Sequence, residues 1–152
     1  MKNTDNLMPN IEKSPLALAK KQRSHNLYVF SNPMPDQDDS FLDWYKGEYL
    51  QAVLKLQNVV AFQQFEQHPQ DVCGGQAKPI GYRYLGVFEL SLDGAEEAAE
   101  LINQITTLHK EHPSADKPAT WLYYPVSEKV GCIPTRPMPF ITLAFANPVT
   151  GR

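Results

Sequence analysis

The chain has 152 residues, of which 42% are hydrophobic and 20% charged, and its formal net charge is -3. That length suits one domain. The acidic balance, with Lys20, Lys21 and Arg23 as its sole basic cluster, excludes the basic face that a nucleic-acid binder presents, and no apolar run approaches the ~18 residues needed to span a bilayer.

Met1 to Asn10 are polar, and Leu16 to Ala19 make too short an apolar run for a secretory leader, so a cytoplasmic location is expected. Cys73 and Cys132 stand alone and match no metal or redox spacing. They are expected to be free thiols. No nucleotide, haem, flavin or metal motif stands at recognisable spacing, so no cofactor is expected.

Residues 1–25 read as a flexible tail, because they lack the apolar periodicity that would offset the entropy of ordering. Lys20, Lys21 and Arg23 are expected to be solvated there. Regular structure starts at Asn26. Leu27-Tyr28-Val29-Phe30 is an apolar run stopped by Ser31-Asn32-Pro33-Met34-Pro35, and prolines cannot continue a ladder. This predicts the first strand.

Asp38-Asp39-Ser40 offers N-cap candidates and places negative charge at a helix start. From Phe41 the period becomes helical, with Leu42, Tyr45, Tyr49, Val53 and Leu56 on one stripe. Gly47 inside this helix costs up to ~1 kcal/mol relative to alanine. Gln57-Asn58 ends the helix, and Val59 to Phe65 predicts the second strand. His68 to Pro79 is rich in Pro and Gly and reads as a loop.

Tyr82 to Leu90 predicts the third strand, with Tyr82, Tyr84, Phe88 and Leu90 on one face and Arg83, Leu85, Val87 and Glu89 on the other. Asp93 is expected to cap a second helix, Gly94 to about Lys110, buried through Ala95, Ala98, Leu101, Ile102, Ile105 and Leu108. Thr120 to Val126 predicts the fourth strand.

The order β-α-β-β-α-β predicts a ferredoxin-like α+β fold, a four-stranded antiparallel sheet with both helices on one face. The other face would then bear aromatics without helix cover, which marks it for association with a second copy of the chain. Residues 26–130 would form this domain. Residues 131–152 read as an extension, in which Phe140 to Phe145 predicts a fifth strand added to an open sheet edge of its own subunit or the partner's.

Phe30-Ser31-Asn32-Pro33-Met34-Pro35, Phe41-Leu42-Asp43-Trp44-Tyr45, Leu50 and Val53-Leu54, with Tyr82-Arg83-Tyr84-Leu85, resemble the dimeric α+β barrel superfamily, and within it EthD-like proteins. The resemblance implies a homodimer with a ligand pocket between the first helix and the sheet. The family's helix often carries a histidine before the leucine, a natural acid/base group. Here that position is Tyr49, a poor base but a good hydrogen-bond donor.

Candidate ligand-binding residues are therefore Trp44, Tyr45, Tyr49 and Arg83, with Tyr49, Glu48 and Asp43 as candidates for any catalysis. Their opposite number is a purely structural role, with the tyrosines in the core and Arg83 paired to a carboxylate. His109 and His112 fall in the last helical turn, where positive charge complements the helix dipole, and two imidazoles without a third ligand do not make a zinc site. Two function classes follow. One is a domain that binds, or without cofactor transforms, a small hydrophobic or aromatic molecule. The other is a non-enzymatic dimeric module.

Overall fold

The computed structural model of the chain describes residues 23–69, 81–127 and Pro148. Apart from Pro148, these lie within one compact unit, Leu18–Glu128. The tail before Arg23, the loop around Cys73 and the expected fifth strand lie outside the described residues.

Four strands are present: β1 (His25–Ser31), β2 (Val59–Glu66), β3 (Tyr84–Leu90) and β4 (Ala119–Tyr123). They pair in the order β2-β3-β1-β4, and every pairing is antiparallel. This is the strand order of the ferredoxin-like α+β fold, in which each βαβ unit leaves room for the other's strand between its own.

Alternation along β1 sends Leu27, Val29 and Ser31 to one face and Tyr28 and Phe30 to the other. The register carries this across the sheet, because Leu27 faces Phe88, Val29 faces Gly86 and Ser31 faces Tyr84. Gly86 makes room for an aromatic pair. A Cβ there would stand 2.9 Å from the Phe62 ring and 3.3 Å from the Phe88 ring.

The first helical rod is continuous in three segments: α1 (Asp38–Trp44), a π-helical turn (Tyr45–Tyr49) and α2 (Leu50–Leu54). The π-turn explains the buried line. Phe41, Tyr45, Tyr49 and Val53 are all fully buried, a spacing of four that drifts by about 40° per step in an α-helix. The wider i→i+5 turn drifts the opposite way and keeps these residues in register with the sheet. Leu42, expected on this stripe, is only half-buried, and Phe41 and Trp44 take its place.

Helix α3 (Ala95–Glu111) buries Ala98, Leu101, Ile105 and His109. These side chains join Leu27, Val29, Tyr84, Phe88 and Leu90 in one core between the helices and the sheet.

Both expected caps require correction. Gln37 is the first helix's N-cap and makes no side-chain cap bond, while Asp38 and Asp39 sit inside the first turn, where their charge still complements the dipole. Gly94 caps α3, and Glu97 reaches back to accept the Asp93 backbone N–H at 2.9 Å. Asn58 adopts φ 75° just before β2, a left-handed conformation that asparagine tolerates well.

Arg23 also departs from expectation. It is buried and its guanidinium meets Glu89 at 3.0 Å, because a carboxylate from β3 stands ready to pair with it. The outer sheet face is covered unevenly. Phe30 and Leu85 are buried, whereas Trp121 and Tyr123 remain 46% and 44% exposed.

Candidate functional site

Three elements converge at the C-terminal end of β1. The first helical rod contributes a column of rings in which Phe41 stacks on Tyr45 (5.1 Å between centroids) and Tyr45 on Tyr49 (5.2 Å). From the sheet, Tyr84 meets both Phe41 (5.2 Å) and Tyr45 (5.7 Å). Trp44 packs against Tyr49 at 4.8 Å, and His112 stacks flat on Trp44 from outside at 4.7 Å.

The hydroxyls of Tyr45 and Tyr49 are buried and have no hydrogen-bond partner among the described residues, whereas the Tyr84 phenol lies beside the Glu66 carboxylate and Arg83. A buried polar group left without a partner costs about 1–3 kcal/mol, and such groups are rare in native proteins. Burial also raises the pKa of all three phenols above its ordinary value, most strongly for Tyr49 and Tyr45. Each therefore stays protonated at neutral pH and can donate.

His109 enters the cluster from α3 and is fully buried. Its Nδ1 lies 3.1 Å from the Ile105 carbonyl, which can only accept, so Nδ1 carries the proton. Nε2 is then the lone-pair nitrogen, and it accepts the Ser31 hydroxyl proton at 2.9 Å. The ring packs edge-on against Tyr49 at 4.8 Å and Trp44 at 5.4 Å. Desolvation lowers its pKa from 6.5 to about 4. The expectation of a cation complementing the helix dipole is therefore corrected, because His109 is neutral and faces inward.

Tyr45, Tyr49 and Trp44 thus lie together in the interior. Arg83 lies at the rim, just before β3. Its Nε donates to Glu66 Oε1 at 3.0 Å and its Nη1 to Asp38 Oδ2 at 3.2 Å, with the guanidinium 5.3 Å from the centre of the Tyr84 ring. This clasp ties the helix start to the sheet in solvent, where such pairs contribute little. Glu48 and Asp43 are exposed, on the solvent side of the rod away from Tyr45 and Tyr49.

Ser31, Tyr84 and His109 are additions to the candidate site residues read from the sequence, where His109 was read as a structural residue of the last helical turn and Tyr84 as a strand residue. Alternation after Leu27 and Val29 places Ser31 on the helix-facing side. His109 follows Ile105 by four residues and so continues the apolar stripe. Its inward position was readable there, but its partner on a strand 78 residues away was not.

Among the described residues, no group of three His, Cys, Asp or Glu side chains is placed to hold a metal, and no helix is long and apolar enough to cross a membrane.

No family model matches the chain, and no curated protein matches it. Two solved structures are similar to it. At3g17210 from Arabidopsis thaliana shares 16% identity at a TM-score of 0.47, over 68% of this chain and 96% of its own. HapK from Hahella chejuensis shares 14% identity at a TM-score of 0.44, over 71% of this chain and 98% of its own. The fold assignment rests on the strand order and register of this chain itself.

Proposed function

We propose that the protein is a homodimeric, EthD-like member of the dimeric α+β barrel superfamily that binds a small hydrophobic or aromatic molecule among Tyr45, Tyr49 and Tyr84. One observation carries this reading: the hydroxyls of Tyr45 and Tyr49, on neighbouring stacked rings, are buried without a partner among the described residues. A core built for stability alone would use phenylalanine at these positions and avoid the desolvation cost. The stacked rings supply an apolar, planar surface and the hydroxyls supply orientation, which is the usual composition of a small-molecule site.

The test is a thermal-shift screen with a panel of aromatic and polyketide-like compounds. Binders should raise the melting temperature of the wild-type chain. Tyr45→Phe and Tyr49→Phe should leave the free protein as stable or slightly more so, since each removes an unpartnered hydroxyl, while abolishing the ligand shift. If no compound in the panel shifts the wild-type chain, the ring column is core alone and the non-enzymatic module takes its place.

A further inference from the structure

We infer that Gln64 is a positioning residue that sets the phase of the first helical rod, its side-chain amide holding the Tyr45 carbonyl so that the turn Tyr45–Tyr49 stays in its π form. The inference concerns the rod alone and stands or falls independently of the ligand reading above.

Alternation along β2 sends Phe62, Gln64 and Glu66 to the helix-facing side. Phe62 packs there against Phe88 at 4.3 Å and Tyr49 at 6.2 Å. A glutamine on such a face withdraws a polar amide from water, which costs free energy unless the amide is bonded. Half-buried Gln64 directs its amide at the helix backbone, where Nε2 donates to the Tyr45 carbonyl at 2.8 Å.

That carbonyl belongs to the first residue of the π-turn. A carbonyl oxygen has two lone pairs, and a side chain that takes one of them tilts the oxygen away from the helix axis. Such insertions, like π-turns themselves, are where a helix departs from its i→i+4 ladder.

The place of the bond decides which half of the rod it governs. Before the turn, Phe41 and Tyr45 are held against Tyr84, and Arg83 ties Asp38 to the sheet. The phase of α2 is set downstream of the turn. In an unbroken α-helix, the three four-residue steps from Phe41 to Val53 would each drift by about 40° and leave Val53 about 120° from Phe41. Both are fully buried. The bond from Gln64 thus sits at the one junction where the rod's phase changes.

The experiment is nuclear magnetic resonance of the full chain, reading the couplings transmitted across its hydrogen bonds. In wild-type protein the Gln64 side-chain amide should couple to the Tyr45 carbonyl, and amides at the turn should couple to carbonyls five residues back. Gln64→Met, of the same length but without a donor, should shift the turn couplings to carbonyls four residues back. Gln64→Glu, whose carboxylate cannot donate at neutral pH, should do the same. Gln63→Met, on the opposite and exposed side of β2, should leave them unchanged. A merely structural Gln64 would lower the denaturant midpoint of its variants without moving the couplings.

Five-residue couplings kept in Gln64→Met or in Gln64→Glu, or lost in Gln63→Met as well, overturn the inference. Should neither substitution of Gln64 fold, the wild-type chain decides: a Gln64 amide with no coupling to the Tyr45 carbonyl overturns it, and the coupling upholds it.

Discussion

At the scale of single residues, His109 has the sharpest consequence. Its folded pKa of about 4 lies below the ordinary 6.5, so the unfolded chain takes up this proton first as pH falls. The neutral ring's contribution is complete above pH 6.5 and drains away as pH falls towards about 4, by up to about 3 kcal/mol. Urea midpoints at pH 7.5 and 4.5 should therefore differ more in wild-type protein than in His109→Gln, whose amide can still accept from Ser31 without titrating. Equal pH dependence in the two proteins would refute the assignment. Gly86 makes a second residue-scale prediction. Gly86→Ala forces a Cβ to within 2.9 Å of the Phe62 ring, a clash of about 1–3 kcal/mol. Adding Phe62→Leu should recover part of that loss in a double-mutant cycle.

At the scale of elements, the π-turn is what turns an ordinary amphipathic rod into a straight ring column. Gly47 sits within it, exposed, with open space where a Cβ would project. It is not a point of close approach. Gly47→Ala should stabilise the protein by up to ~1 kcal/mol, seen as a raised denaturant midpoint with unchanged slope. A fall in the midpoint would mean that the π-turn itself depends on glycine. The strands and helices were legible from their periods, since β1, β2, β3 and α3 fall within two residues of their expected bounds. The caps were not. Asp38 and Asp93 are good capping residues by type, but Gln37 and Gly94 became the caps, with Asp38 drawn into the first turn and the Asp93 N–H bound by Glu97.

At the scale of the whole molecule, the outer sheet face bears on assembly. Tyr28 meets Tyr123 edge-on at 5.6 Å, and Phe30 meets Trp121 at 5.7 Å. These rings form an aromatic patch along β4, an edge strand of the described sheet. As part of the proposed homodimer, Trp121→Lys combined with Tyr123→Lys should lower the mass measured by sedimentation from that of two chains to that of one. A wild-type chain that sediments as a monomer at every accessible concentration would refute the dimer.

The sequence alone determined the order of elements and which faces are apolar, because a strand repeats every two residues and a helix nearly every four, and both periods are local. It also placed Tyr45 and Tyr49, though not Trp44, on the buried side of one helix. It could not place Ser31 against His109, nor Tyr84 against Tyr45, because each pair joins segments far apart in the chain. The helical period put Asp43 off the buried stripe, but that Glu48 is turned outward depends on the phase imposed by the π-turn. Only the tertiary structure decided which polar groups share the interior. There, burial holds the imidazole neutral, and the Ile105 carbonyl sets which of its nitrogens accepts from Ser31.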